Sequence, residues 1–311
     1  MQLCHIGDLA LQFAPVKILI TGADGQSGSA IARVAKVDNF FEVISLNRKQ
    51  LDITQPDKIM AALDKYLPDY VINCAGLNST DRAEREPNKA ILLNSDAAKY
   101  LAIACGDLSI PIIQLSTDYV FDGHYASGYM EQDETRPLGA YGESKLQGEL
   151  YIQQMMPRHI IIRTSWLFSD CGNNFMLRTL KEARENNLMY GVDDRRGCPT
   201  SAFDLARVVL AVIKQLSCGA EAWGVYHYCG AEVTTRYGFC EAVIAAARQY
   251  EQLKVDEIKP VAAKDFVTEA ERPSTSVLKC NKILNVFGVR QRAWRSELQR
   301  LIREYYSQVR Y

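Results

Sequence analysis

The sequence predicts an α/β protein built on a doubly wound parallel sheet, with a smaller region formed from its C-terminal part. Three observations lead there. Apolar runs of strand length alternate with helical stretches through the first half of the chain. Those runs are continuously apolar, as strands covered on both faces must be. A glycine-rich turn joins the first run to the first helix. Strands and helices alternating at this interval form βαβ units, and hence a parallel sheet.

VKILITG, residues 16–22, reads as the first buried strand, and SGSAIARVAKV as the helix after the turn. FEVISLN (41–47) is a second strand, PDKIMAALDKY (56–66) a helix, and DYVINCAG (69–76) a third strand. A long helical stretch from Asn88 to Cys105 precedes a fourth strand, IPIIQLST (110–117). YGESKLQGELYIQQM follows as a helix and HIIIRTSWLF (159–168) as a fifth strand. Beyond residue 170 the rhythm loosens. NNLMYGVDD suggests a strand, 201–216 a helix, WGVYHYCG (223–230) a strand and 236–250 a helix; WRSELQRLIREYY closes the chain as an amphipathic helix. The expected organisation is an extension over 1–15, a dinucleotide-binding domain over 16–168, and a mainly substrate-binding region over 169–311, some of whose elements return to the sheet.

Composition narrows the function classes. The 311 residues are 48% hydrophobic, ample for a sizeable core, and the net charge is −1. No basic stripe marks a nucleic-acid partner and no polybasic block an anionic membrane. The longest apolar runs fall far short of the ~20 residues of a membrane span. Nine scattered cysteines, an odd number without a Cys-x-x-Cys, argue for a reducing cytoplasm and against a zinc site or disulfide framework. Residues 1–15 lack the basic start and cleavage site of a secretory signal. The four histidines stand apart, without ligand spacing.

TGADGQSG places Gly22, Gly25 and Gly28 three apart between strand and helix. Glycines there let the backbone turn tightly and approach a pyrophosphate, while the helix N-terminus offers free N–H groups and partial positive charge. The fold is therefore of Rossmann type. An acidic residue closing the second strand would favour NAD; here LNRKQLD puts Arg48 and Lys49 there, suited to the 2′-phosphate of NADP(H), with Asp52 beside the adenine edge.

In an open parallel sheet, ligands bind beyond the carboxyl ends of the strands. The fourth strand ends in LSTDYVFDG, and the next helix carries Tyr141 and Lys145, four apart on one face. Tyr250 and Lys254 share that spacing but lack such a setting. Reducing a carbonyl by hydride requires a proton donor. Lys145 is expected to lower the Tyr141 pKa and to hold the nicotinamide ribose, and Thr117 to orient the substrate oxygen. Asp118 reads most simply as an acceptor for backbone N–H groups.

The glycine turn, STDYVF and YGESK, in this order, resemble the extended short-chain dehydrogenase/reductases. GADGQSG, LDIT, PDYVINCAG, DRAE, LLN, STDYVFDG, YGESKLQGE, RTSWLF, GNNF, GCPT and ERPSTSVL are similar to one branch, the dTDP-4-dehydrorhamnose reductases. That resemblance implies reduction of the 4-keto group of dTDP-6-deoxy-L-lyxo-4-hexulose by NADPH, with NADH the alternative. Its catalytic set falls on Thr117, Tyr141 and Lys145. Its cofactor contacts fall on Gly22, Gly25, Gln26, Ser27, Gly28, Arg48, Asp52, Ile53, Ala75, Gly76, Asn94, Tyr141 and Lys145. Its substrate contacts fall on Thr117, Asp118, Trp166, Asn173, Asn174 and Arg272; Arg272 suits either a diphosphate or a structural ion pair. Some relatives use Mg2+ at a dimer contact; those glutamates do not map here, so no metal is assigned, and a homodimer is left open.

The chain also departs from the branch. NCAGLNSTD (73–81) replaces the usual residues beside nicotinamide and sugar, Arg195 stands where a glutamine is common, and Arg236 where the family often has Trp. These changes bear on which 4-keto sugar is accepted. Two other readings share the motifs: a nucleotide-sugar epimerase, and a regulatory subunit resembling the methionine adenosyltransferase beta subunit. RTSW and GNNF favour the reductase.

Overall fold

The computed structural model describes residues 14–309. The extension expected over 1–15 lies, except for its last two residues, outside them. The elements run β1 (Val16–Thr21), α1 (Gln26–Ala35), β2 (Phe41–Leu46), α2 (Pro56–Tyr66), β3 (Tyr70–Asn73), α3 (Thr80–Arg85) and α4 (Pro87–Ile91). A π-helical turn, Leu92–Asp96, leads into α5 (Ala97–Asp107), then β4 (Ile112–Thr117), α6 (Ala140–Met155), β5 (His159–Thr164) and β6 (Leu167–Phe168). After these come α7 (Phe175–Glu185), β7 (Leu188–Val192), β8 (Arg196–Gly197), β9 (Thr200–Ser201), α8 (Ala202–Ser217), β10 (Gly224–His227) and β11 (Thr234–Thr235). The last are α9 (Arg236–Ala247), β12 (Glu257–Val261), α10 (Asn281–Phe287) and α11 (Trp294–Val309).

Six parallel strands form the central sheet in the order β10-β5-β4-β3-β1-β2. The order reverses between β1 and β3, which opens a crevice beyond their carboxyl ends. α1 and α8 pack over one face, burying Ile18, Ile20, Ile31 and Val209. α2, α5 and α6 cover the other, around Leu19, Leu63, Leu101 and Ile152. The α1 side continues without a break into the C-terminal elements: Phe239 and Val243 of α9 and Leu298 and Leu301 of α11 belong to the same apolar cluster.

Buried polar side chains align the strand ends. Thr21 Oγ1 donates to Asn73 Oδ1 at 2.6 Å, and Asn73 Nδ2 donates to Gln114 Oε1 at 2.8 Å. Gln114 Nε2 in turn reaches the Leu115 carbonyl at 2.8 Å. The ladder crosses β1, β3 and β4, and Ala75 N closes back on Asn73 Oδ1 at 3.2 Å.

The structure corrects two expectations. The helix over 88–105 is broken by the π turn, because Asn94 points inward: its Oδ1 accepts from Leu77 N at 2.8 Å and its Nδ2 donates to Ser144 Oγ at 3.0 Å. The wider turn gives that side chain room. The strand over 159–168 ends at Thr164, because Trp166 adopts a left-handed φ of 45° that a strand cannot hold. β6 then pairs with β9. The segment around 188 is a strand, but it pairs with β12 away from the central sheet, and β12 itself carried no sequence signal strong enough to name.

One ion pair fastens α6 to the sheet. Arg163 of β5 and Glu149 of α6 are buried, joined by contacts of 2.7 and 3.1 Å. Removing one member of a buried pair leaves the other charge uncompensated, at a cost of about 3–5 kcal/mol. Glu149→Leu is therefore expected to lower unfolding stability by that amount, read by urea denaturation, whereas Glu143→Leu, exposed on the same helix, should change it by less than about 0.5 kcal/mol. Equal effects would remove the pair from its fastening role.

Candidate active site

The glycine turn sits at the crevice. Gly22 holds φ +62°, and a Cβ there would lie 2.7 Å from the Ala75 backbone, so β1 and β3 approach too closely for any side chain. A Cβ on Gly28 would meet the Gly22 carbonyl at 2.5 Å. Gly25 precedes α1, whose start has no side-chain cap, which leaves its first-turn N–H groups available. These residues fit the pyrophosphate of a dinucleotide. Ser169 Oγ donates to Gln26 Oε1 at 3.2 Å, bringing the loop after β6 onto the start of α1, where Ser27 is nearly buried. Arg48 and Lys49 stand exposed just beyond β2. Asp52 is turned into its own loop, accepting from Thr54 N at 3.1 Å and Thr54 Oγ1 at 2.8 Å, beside buried Ile53.

Next along the crevice stand Thr117, Tyr141 and Lys145. Glu84 Oε1 accepts the Ala140 N–H at 2.8 Å and so caps the first turn of α6, which carries Tyr141. The helix lies unusually close to the turn after β4: a Cβ on Gly142 would sit 2.2 Å from the Tyr119 carbonyl. The Tyr119 and Tyr141 rings meet edge to face with centroids 5.7 Å apart. Lys145 is buried and its Nζ donates to the Leu115 carbonyl at 2.7 Å, which leaves further N–H groups on the ammonium. Asn94 holds the neighbouring loop through Leu77, and Gly76 passes against its side chain.

The electrostatics depart from the expectation that Lys145 lowers the Tyr141 pKa. Burial raises the phenol well above its usual value, Asp118 and Tyr119 push the same way, and only the Thr117 hydroxyl opposes them. Burial also pushes Lys145 down, to about 8, against the pull of Glu149 and Cys74. Desolvation dominates at both members of the pair. Tyr141 is thus held as the protonated phenol, the form that can give up a proton.

Asp118 is 2% exposed. Thr117 Oγ1 donates to its Oδ1 at 3.0 Å, while Oδ2 has no hydrogen-bond partner. Burial pushes its carboxyl up to about 6; Ser276, Thr117 and the Arg236 charge pull the other way. The Ser276 hydroxyl is close enough to be felt without making a well-formed hydrogen bond to it. Trp166 lies alongside, its Nε1 donating to Ser276 Oγ at 3.1 Å.

The remaining residues of the expected site divide. Asn174 is committed to the fold: it caps α7 by accepting from Leu177 N at 3.1 Å, and its amide donates to the Ser169 and Cys171 carbonyls at 3.0 Å. Asn173 is exposed beside it. Arg272 forms an ion pair with Asp81 at 2.9 Å, yet its buried Nε lacks a partner. Asp81 also accepts from Ala270 N at 3.1 Å, so it tethers the loop that closes beside Tyr141. Sequence reasoning missed Tyr119 and Glu84; the Asp-Tyr after the strand was a signal for the first, and nothing local signals the second. Among the described residues, no group of three or more His, Cys, Asp or Glu side chains is arranged to hold a metal. None of their helices is long and apolar enough to cross a membrane.

The chain is similar to known proteins. Residues 16–307 match the family described as the RmlD substrate binding domain. The dTDP-4-dehydrorhamnose reductase of Sinorhizobium fredii is 34% identical over 291 residues, covering 92% of this chain and 97% of that protein. The crystal structure of a dTDP-4-dehydrorhamnose reductase from Clostridium acetobutylicum is 34% identical, with a TM-score of 0.86 over 93% of this chain and 99% of that one. The Bacillus anthracis dTDP-4-dehydrorhamnose reductase, solved in complex with NADP, is 29% identical, with a TM-score of 0.85 over 93% and 99%.

The Asp118 environment has a consequence for stability. Its folded-state pKa, about 6, lies above the ordinary 3.8, so folding favours the protonated carboxyl. That contribution is complete below the unfolded value and is lost as pH rises through about 6. Asp118→Asn, which removes the ionisation, should therefore gain stability relative to the wild type between pH 4 and pH 8, by up to about 3 kcal/mol. Denaturant titrations at the two pH values read the difference; a constant gap would mean that Asp118 titrates normally.

Proposed function

The chain belongs to the dTDP-4-dehydrorhamnose reductase family, and from that premise we propose that it reduces the 4-keto group of a dTDP-linked 6-deoxy sugar, giving dTDP-L-rhamnose or a related sugar. The observation that carries the reading is the meeting of the Gly22–Gly28 turn with Thr117, Tyr141 and buried Lys145 in one crevice. The RTSW and GNNF stretches favour this reading over a regulatory subunit.

NADPH bound in the turn would supply the hydride. The chain's own residues do the rest. Tyr141, kept protonated by burial, transfers its proton to the oxygen developing at C4. Thr117, beside it, steadies that oxygen. Lys145, anchored on the Leu115 carbonyl, would hold the ribose of the cofactor with its remaining N–H groups. Gly22, Gly25, Gln26, Ser27 and Gly28 would receive the pyrophosphate, Arg48 the 2′-phosphate, and Ile53, Ala75 and Gly76 would line the rest. Asp118, Asn173 and Arg272 would face the nucleotide sugar, with Trp166 behind the Arg236 guanidinium. Free thiols at all eight described cysteines suit a reducing cytoplasm.

Mixing the protein with NADPH and dTDP-6-deoxy-L-lyxo-4-hexulose should oxidise the nicotinamide, read by its absorbance. Tyr141→Phe should cut kcat by about 10²- to 10⁴-fold with little change in substrate KM. Unimpaired turnover by that variant would exclude Tyr141 as the proton donor. Arg48→Ala should raise the KM for NADPH about tenfold and leave that for NADH unchanged; an equal effect on both would take Arg48 away from the 2′-phosphate.

A further inference from the structure

Arg236 opens α9 beside the site, and its surroundings are unusual for a cation. The guanidinium carbon lies 3.7 Å above the Trp166 ring and 4.9 Å from the Phe175 ring centre. The side chain is only partly exposed. Its field reaches Asp118 and Tyr119. Yet no ion pair shorter than 4.0 Å joins Arg236 to Asp118 or to any other described carboxylate. Aromatic faces attract a guanidinium, but they leave its five N–H donors unused. Burial lowers its pKa only to about 10, so it stays charged at neutral pH.

Nearby stands the complementary defect. Asp118 Oδ2 is a buried acceptor with no well-formed hydrogen bond, although the Ser276 hydroxyl lies close by. A donor set and an acceptor thus share one neighbourhood, linked by Trp166 under the guanidinium and by Ser276, which takes the indole N–H and lies close to Asp118. The indole itself is not free to receive a ligand on its face: a Cβ on Gly197 would fall 2.4 Å from Trp166 Cε2, and the guanidinium covers the ring.

We infer that Arg236 is a specificity-determining residue: its guanidinium, and not the Trp166 ring face, is the surface the sugar meets, and a ring hydroxyl bridges it to Asp118. The hydroxyl accepts from Arg236 and donates to Asp118 Oδ2, which completes both groups at once. The site therefore takes a nucleotide-linked keto sugar that keeps a hydroxyl at that position, and rejects one that lacks it, because the deoxy sugar would leave a buried cation and a buried carboxylate unfilled. The inference rests on the reductase reading proposed above.

Two measurements test it. First, wild-type, Arg236→Leu and Arg236→Lys proteins are assayed with NADPH and dTDP-6-deoxy-L-lyxo-4-hexulose or its 2-deoxy and 3-deoxy analogues. The wild type should disfavour one analogue by about 10- to 100-fold in kcat/KM. Arg236→Leu should disfavour that analogue less than about threefold, having lost its preference through a raised KM for the full sugar. Arg236→Lys, charged but without the fork, should fall between. Equal discrimination in wild type and Arg236→Leu, or none in the wild type, overturns the inference. Second, the affinities of dTDP-L-rhamnose and dTDP are measured by calorimetry. The wild type should bind the sugar nucleotide more tightly than dTDP, and Arg236→Leu should lose most of that margin. This reading survives an inactive wild type, which would sink the reductase proposal alone; an unchanged or absent margin sinks the role of Arg236.

Discussion

The crevice depends on a hydrogen-bonded row of buried side chains, Thr21, Asn73 and Gln114, laid across three adjacent strands. Backbone pairing sets the register of β1, β3 and β4, but it does not control what the chain does after each strand ends. The row does. Asn73 also takes the N–H of Ala75, so the chain leaving β3 is held where it abuts Gly22. A buried amide or hydroxyl without its partner is costly, and every member here is needed by the next. The glycine turn, the loop at Gly76 and the end of β4 at Thr117 are thereby placed together before any ligand arrives.

α6 is positioned by different means. Its interior is fastened through Glu149 to Arg163, and its first turn is capped from outside by Glu84. Glycines at 142 and 148 let it settle against Tyr119 and Asn94. Tyr141 and Lys145 consequently sit in a medium where desolvation governs both. A rule from exposed helices, that a lysine four residues on eases the ionisation of a tyrosine, fails because the cost of desolvating each charged form dominates.

Much of this was legible in the sequence. The apolar runs from Val16 to Thr164 announced the βαβ succession, since strands covered on both faces cannot disguise themselves. Gly22, Gly25 and Gly28 announced the turn, since little else allows it. What stayed hidden depends on distant partners. The π turn at 92–96 exists because Asn94 reaches Leu77 and Ser144; the chirality of Trp166 ends a run that is apolar enough to continue; Asp81 and Glu84 look like ordinary helix-surface acids until the segments at 270 and 140 come to meet them. Asn174, expected near the nucleotide sugar, is occupied with the loop beneath it. Local patterns report what a segment does with its neighbours and stay silent on contacts made across a hundred residues.

β10 joins the sheet beside β5 only after the chain has made an excursion of some sixty residues, near the end of which α8 returns to cover α1. During synthesis, the first 168 residues leave the ribosome with β5 as a bare edge and one sheet face lacking its second helix. Such an edge invites pairing with another chain. The nascent protein must therefore wait for Gly224–His227 before its sheet is closed on that side, which makes the late region a chaperone of the early one within a single polypeptide.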